Sequence, residues 1–194
     1  MSAVVDVRGR QLREPGLLTT FFSDTRLSVV WLALRLFVGY EWIEASLHKI
    51  TSPAWVGDGT ALLGFWKSAV AVQPSPKITY DWYRSFLQML IDGGHYVWFA
   101  KLVAFGEFAV GVALIIGAFV GVAAFFGAFM NWNFMMAGST STNPGLLALA
   151  LFLLLAWKVA GYLGADYFIL PRVSALWQPK GNYAVPHPEK VSTR

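Results

Sequence analysis

The chain has 194 residues, of which 56% are hydrophobic and only 13% are charged, and its mean hydropathy is +0.52. A soluble domain averages about 45–50% apolar and about 25% charged residues, so this composition excludes an ordinary soluble globule and predicts an all-α polytopic membrane protein. The formal charge of +4 does not indicate a nucleic-acid partner, because the basic residues cluster at the two ends of the chain. The absence of cysteine excludes disulfides, cysteine-ligated iron–sulfur clusters and covalently attached haem.

Basic residues flank the apolar part of the chain on both sides. Those before it, in the predicted N-terminal arm (residues 1–26), are Arg8, Arg10, Arg13 and Arg26; those in the predicted C-terminal tail (residues 166–194) are Arg172, Lys180, Lys190 and Arg194. The positive-inside bias then places both termini in the cytoplasm, which requires an even number of spans. No signal peptide is recognised, because the polar arm is long and no small-residue cleavage site follows it.

Four apolar segments predict a four-transmembrane-helix bundle within residues 27–165. The predicted spans are residues 27–47, 98–118, 119–137 and 144–163. The second and third come from one apolar run of about 40 residues, which as a helix would be about 60 Å long, twice the hydrocarbon thickness. The chain must therefore turn back on itself, and the turn is predicted near residues 117–121.

The one sizeable segment outside the spans, residues 50–97, is rich in Trp and Tyr of the kind found at membrane interfaces. It is predicted to form an extracytoplasmic cap between the first and second spans. Two short amphipathic helices are expected in it, over residues 59–72 and 79–91, separated by Gln73-Pro74-Ser75-Pro76.

Polar side chains within the spans are functional-site hypotheses, because a charged group at mid-bilayer is unfavourable unless it is paired or hydrated. Counted along the helices at about 1.5 Å per residue, they fall into two layers. The outer layer contains Glu41, Glu44, Glu107, Asn131 and Asn133, with His48, Lys49 and Lys101 at its mouth, and the inner layer contains Arg35 and Lys158. Glu41, Glu44 and His48 are spaced i, i+3, i+7 and share one helix face. A polar pocket open to the outside is predicted.

Simpler interpretations exist for most members of this set. Arg35 and Glu107 would form a buried ion pair that only fixes helix register, and Glu44, Lys49 and Lys158 would extend to the interfaces on their long stems. The asparagines would be interhelical hydrogen-bonding groups. A metal held by Glu44 and His48 would need a second carboxylate–histidine pair, which the sequence lacks.

Four motifs follow one another in a specific order. Arg35-Leu-Phe-Val-Gly39 continues to Lys49, and Gly106-Glu107 is followed by Gly111 and Gly117. The third span and its turn read Asn131-Trp-Asn-Phe-Met-Met-Ala-Gly-Ser-Thr-Ser-Thr-Asn143-Pro144, and Ala160-Gly161-Tyr-Leu-Gly164-Ala-Asp166 ends the apolar part. In order and spacing these motifs resemble the DoxX family over residues 31–171, and the third resembles a branch close to DoxD. The glycine that commonly precedes the first-helix lysine of the family is here Ala45 or Ser46.

The resemblance implies a subunit similar to DoxD, the membrane subunit of thiosulfate:quinone oxidoreductase, in the plasma membrane of a prokaryote. Quinone would be a diffusible co-substrate, and thiosulfate or another small sulfur anion would be the electron donor. No haem, iron–sulfur cluster or metal is expected. The expected partners are the lipid bilayer and a membrane or redox subunit, or a second copy of this chain.

Residue roles follow from this hypothesis. Glu107 and Glu41 would accept or relay protons, Arg35 would offset anionic charge, and these three are the predicted catalytic residues. The predicted substrate- or quinone-binding residues are Glu44, His48, Lys49, Lys101, Asn131, Trp132, Asn133 and Asn143. One alternative function is a non-catalytic anchor or accessory subunit of a redox complex, which predicts an aromatic surface and no hydrated cavity. A proton-coupled carrier is the other, although four helices without a repeat argue against it.

Overall fold

The structure is a computed structural model that describes residues 4–5, 11–12 and 16–177. Two antiparallel dipeptide strands, β1 (Val4–Val5) and β2 (Gln11–Leu12), precede the helices. The helices are α1 (Gly16–Ser23), a 3-10 helix (Thr25–Leu27), α2 (Ser28–Ile50), α3 (Pro53–Val56), α4 (Thr60–Val70), α5 (Asp81–Asp92), α6 (Tyr96–Ile116), α7 (Val120–Met136), α8 (Asn143–Leu155), α9 (Trp157–Ala160) and α10 (Asp166–Trp177). The predicted all-α class is confirmed. The terminal basic residues used to orient the chain, apart from Arg26 and Arg172, lie outside the described residues.

The long helices pack in two close pairs, α2 with α6 and α7 with α8. Glycine residues allow a close contact between α2 and α6. A Cβ added at Gly39 on α2 would lie 3.2 Å from the Gly111 carbonyl oxygen on α6, so the two backbones approach closely at this level. The core between the pairs is made of the buried side chains Trp31, Val38, Trp42, Leu114, Val120 and Leu153.

The predicted cap segment forms α3, α4 and α5 and has a small core of its own. The buried residues of this cluster are Leu62, Trp66, Ala69, Ile78, Tyr83, Leu87 and Leu90, together with Ala100 of α6 and Ala137 after α7. Because Ala100 lies near the start of α6 and Ala137 directly follows α7, the cap packs on one end of the bundle. This end is called the cap end below.

The opposite end, called the junction end, is stabilised by two buried charged residues, Asp166 and Arg35. Both oxygens of Asp166 accept hydrogen bonds from the first backbone N–H groups of α7, from Phe119 N at 2.6 Å and Val120 N at 2.8 Å. The backbone N–H of Asp166 donates to Gly117 O at 2.8 Å. Gly117 has φ +74°, which lets the chain reverse between α6 and α7 within the predicted turn region.

The outer faces of the bundle are apolar. Exposed side chains on them include Phe37, Leu102, Phe105, Val122, Phe125, Phe129 and Leu151. Among the described residues, only α6, with 21 residues, is both long and apolar enough by composition to cross a membrane. The longer α2 carries Arg35, Glu41, Glu44 and Lys49, while α7 and α8 have 17 and 13 residues.

Candidate ligand-binding pocket

A pocket of about 450 Å³ lies at the cap end, between α2 and α8 and beneath the cap. Its polar lining residues come from four helices and one turn: Glu41, Glu44, His48 and Lys49 of α2, Glu107 of α6, Asn131 of α7, Ser139, Ser141 and Thr142 of the turn, and Asn143 of α8. Glu41, Glu44 and His48 line it together because their spacing places them on one face of α2. The pocket volume is within the range of about 300–1,000 Å³ that small-molecule sites occupy.

A partly buried ion pair forms part of the pocket wall. Lys49 Nζ donates to Glu107 Oε2 at 2.7 Å, and the two side chains are 19% and 1% exposed. Lys49 Nζ also donates to the Ala45 carbonyl oxygen at 3.3 Å and lies 5.3 Å from the ring centre of Trp55. The lysine is therefore held in place by a carboxylate, a carbonyl and an aromatic face.

Two further polar groups of the lining residues lack a hydrogen-bond partner within the protein. Asn131 is fully buried, and neither its side-chain oxygen nor its side-chain nitrogen is bonded. The indole N–H of the buried Trp42 is likewise unbonded. Buried polar groups are almost always satisfied by some partner, so an unbonded amide in a pocket wall indicates a place where a ligand or water would bind.

The other walls are apolar and aromatic. They consist of Trp42, Trp55, Leu62, Phe65, Phe134 and Leu146. Such a mixture, a few converging polar groups on a mostly apolar lining, is typical of small-molecule sites. Within the described part of the chain, no three His, Asp or Glu side chains are placed to hold a metal ion.

The structure brings seven of the eleven predicted site residues to this pocket. They are Glu41, Glu44, His48, Lys49, Glu107, Asn131 and Asn143. Asn143 is tied to the turn, because its Nδ2 donates to the Ser139 carbonyl oxygen at 2.9 Å. The remaining four, Arg35, Lys101, Trp132 and Asn133, lie outside it.

Arg35 lies at the junction end, so the predicted Arg35–Glu107 ion pair is wrong. Its guanidinium donates to the backbone carbonyls of Leu114 at 2.9 Å, Ile115 at 3.4 Å and Leu163 at 2.9 Å, and it is 1% exposed. The physical reason is the end of α6, where the last carbonyls have no partner within the helix. Arg35 therefore joins α2 to the end of α6 and to the chain before α10, and Lys49 pairs with Glu107 instead.

The other three residues do not line the pocket, although Asn133 lines a neighbouring groove between α6 and α7. Lys101 is exposed, and Trp132, 42% exposed, packs on Phe129 with ring centres 6.3 Å apart. Asn133 Nδ2 donates to the Phe129 carbonyl oxygen at 2.8 Å, and the Asn133 carbonyl oxygen accepts from the Tyr83 hydroxyl at 3.0 Å. Burial in the cap raises the pKa of Tyr83 to about 12, so this hydroxyl stays a neutral donor at physiological pH.

Several lining residues were not predicted from the sequence. The polar ones are Ser139, Ser141 and Thr142, which lie in the Ser/Thr-rich turn directly before Pro144, and that composition was the available signal. The aromatic ones, Trp55, Phe65 and Phe134, carry no signal that separates them from other interfacial or core aromatics.

A second, apolar groove of about 540 Å³ lies beside this pocket, between α6 and α7. Small residues on both helices leave room for it, among them Gly106, Ala109, Ala113 and Ala123. Leu62, Phe65 and Phe134 line both the groove and the polar pocket. The apolar groove and the polar pocket thus share one wall.

The resemblance to the DoxX family depends on the sequence motifs alone, because a comparison of this chain with protein-family models, curated proteins and solved structures finds no match.

Proposed function

We propose that the chain is an integral membrane protein whose helices α2, α6, α7 and α8–α9 form a four-helix transmembrane bundle. Large side chains such as Phe105 on α6, Phe129 on α7 and Leu151 on α8 are about half exposed, and water-soluble monomers rarely expose contiguous apolar surfaces of this extent. The proposed location is the plasma membrane of a prokaryote. Both termini are cytoplasmic in this proposal, and the cap is extracytoplasmic.

In this membrane the polar pocket serves as a binding site for a small molecule that enters from the extracytoplasmic side. The observation that carries the proposal is the unbonded, fully buried amide of Asn131 beside the Lys49–Glu107 ion pair. These groups are unfavourable within hydrocarbon unless they are paired or hydrated, and a ligand or water in the pocket would satisfy the amide.

We further propose that the site belongs to a quinone-linked oxidoreductase, as the family resemblance implies. The apolar groove between α6 and α7 supports this, because it offers a long hydrocarbon tail a place beside the polar pocket. The chain has no cysteine, so electrons would pass directly between bound substrates or through a redox partner subunit. Glu107, with Lys49 beside it, is the group placed to give or take a proton.

A non-catalytic membrane subunit is the second candidate, and the exposed aromatic residues of α7, Phe125, Phe126, Phe129 and Trp132, are the observation that favours it. A subunit of this kind is predicted to have no hydrated cavity. The polar pocket of about 450 Å³ therefore supports a ligand-binding protein over a non-catalytic subunit.

The test is quinone reduction by the purified protein, measured with thiosulfate, sulfite and sulfide as donors. Glu107→Gln removes the proton-exchanging group and is expected to lower the rate by about 100-fold, the low end for general acid–base catalysis. Asp92→Asn, the same chemical change on the exposed end of α5, is the matched control and should retain the wild-type rate. Equal rates for wild type and Glu107→Gln would remove Glu107 from the reaction. No turnover with any donor, together with a stable co-purifying partner, would support the accessory subunit instead.

A further inference from the structure

The charges around the polar pocket are unbalanced. Three carboxylates line it, those of Glu41, Glu44 and Glu107, against one ammonium group, that of Lys49. Lys49 and Glu107 neutralise each other at 2.7 Å. Across the residues described by the structure, neither Glu41 nor Glu44 has an ion-pair partner. The lining therefore contains two carboxylates, those of Glu41 and Glu44, without a basic partner among the described residues.

Aromatic faces accompany this negative charge. Trp42, Trp55, Phe65 and Phe134 form part of the lining, and the Lys49 ammonium group lies 5.3 Å from the Trp55 ring centre. Trp55 thus already interacts with one cation inside the pocket. Carboxylates combined with aromatic faces are the usual means of recognising an ammonium group in a partly desolvated site.

The unbonded groups add independent evidence of a ligand. The fully buried amide of Asn131 offers both an acceptor and a donor, and neither is used within the protein. Its oxygen would accept a hydrogen bond from an ammonium or hydroxyl group of a ligand.

An anion is disfavoured at the same place. The carboxylates of Glu41 and Glu44 would repel an anion, because like charges brought together at a binding site disfavour association. The one ammonium group that would attract it is already engaged by Glu107 and by the Ala45 carbonyl oxygen.

We infer that this pocket binds a small organic cation, a protonated amine or a quaternary ammonium compound, in preference to an anion. The inference depends on the proposed function of the pocket as a ligand site and specifies the chemical class of the ligand. It assigns this pocket a preference for cations, so an anionic electron donor such as thiosulfate would have to bind outside it.

The test measures binding to the purified full-length protein by tryptophan fluorescence and calorimetry. The probes are choline, its neutral isostere with a tert-butyl group in place of the trimethylammonium group, and thiosulfate. Choline is expected to bind saturably and about tenfold more tightly than the isostere, as one cation–π contact plus charge attraction would give. Thiosulfate is expected to show no saturable binding.

Four variants test which side chains give the pocket its preference for a cation. Glu41→Gln and Glu44→Gln should each weaken choline binding by about tenfold while the isostere is unaffected. Asp92→Asn, outside the pocket, should leave both affinities unchanged. Glu44→Lys, which leaves two carboxylates opposite two ammonium groups in the lining, should weaken choline binding more than Glu44→Gln does. Size-exclusion chromatography of each variant shows whether it is folded. If a variant does not fold, binding of the three probes to the unmodified protein still tests the preference for a cation.

The outcomes separate the two proposals. If the isostere or thiosulfate binds as tightly as choline, the cation inference is overturned and the pocket remains a ligand site. If none of the three probes binds, the cation inference is overturned, and the quinone-reduction assay described above decides separately whether the proposed function fails.

Discussion

The Lys49–Glu107 ion pair is the single contact for which the loss of one partner should be most harmful. Lys49→Met would leave the Glu107 carboxylate, 1% exposed, without its counter-charge. Removing one member of a fully buried pair typically destabilises by about 3–5 kcal/mol. Because Lys49 is 19% exposed, we expect a loss of about 2–3 kcal/mol in the free energy of unfolding, measured by reversible unfolding in mixed micelles.

The double variant Lys49→Met/Glu107→Gln is the internal control for this prediction. It removes both charges, so most of the stability should return, with a residual loss of about 1 kcal/mol. If the double variant instead loses the sum of the two single losses, the two side chains do not interact energetically.

At the residue scale, the face of α2 on which polar side chains lie could be predicted from the sequence, but the level of α6 along α2 could not. Periodicity places Glu41, Glu44 and His48 on one face of α2, and they do line one pocket. Counting residues also brought Arg35 and Glu107 to neighbouring levels. The structure instead places Glu107 at the level of Lys49, and Arg35 at the level of Leu114 and Ile115. The sequence could not show this, because the position of α6 along α2 depends on how the finished bundle packs.

The junction end is the element-scale feature most sensitive to a small change. Gly117 has φ +74°, and a Cβ added there would collide with Arg35 Nη1 and with the backbone of Gly164. Gly117→Ala combines left-handed backbone strain with displacement of Arg35 from its carbonyl partners. We expect a loss of at least about 2 kcal/mol in the free energy of unfolding, measured as above.

Gly64→Ala is the matched control, because Gly64 lies inside α4 and an added Cβ there meets nothing within 4 Å. Replacing a helical glycine by alanine under these conditions should stabilise by about 0.5–1 kcal/mol. Similar effects of the two substitutions would mean that Gly117 has no special role in the turn between α6 and α7.

The elements themselves were largely accessible from sequence for a physical reason. The helix boundaries lie where Gly, Pro and Asn interrupt the apolar runs. In the structure α6 ends at Ile116 and α7 begins at Val120, on either side of the predicted turn. The packing of Asp166 onto the first N–H groups of α7 was not accessible, since it joins residues almost fifty positions apart. A contact of that kind depends on the finished bundle.

At the scale of the whole molecule, the proposed membrane topology places the cap end and the junction end on opposite sides of a bilayer. The chain has no cysteine, so a single introduced cysteine can be labelled without background. Ser75 is exposed in the cap between α4 and α5, and Ser174 is exposed on α10 at the other end. Phe125 is 52% exposed on the apolar outer face of α7 and lies outside both the pocket and the groove.

With a membrane-impermeant maleimide, Ser75→Cys should be labelled in intact cells, and Ser174→Cys only after the membrane is opened. Phe125→Cys should resist labelling in both cases, because lipid covers that face of α7. Labelling of Phe125→Cys as readily as Ser75→Cys would mean that water reaches the apolar face, and the membrane proposal would fail. Labelling of Ser75→Cys and Ser174→Cys from one side would instead leave a membrane protein whose two ends do not lie across the bilayer from each other. The pocket entrance lies beside the cap, so the side on which Ser75→Cys reacts also determines the compartment from which a ligand enters.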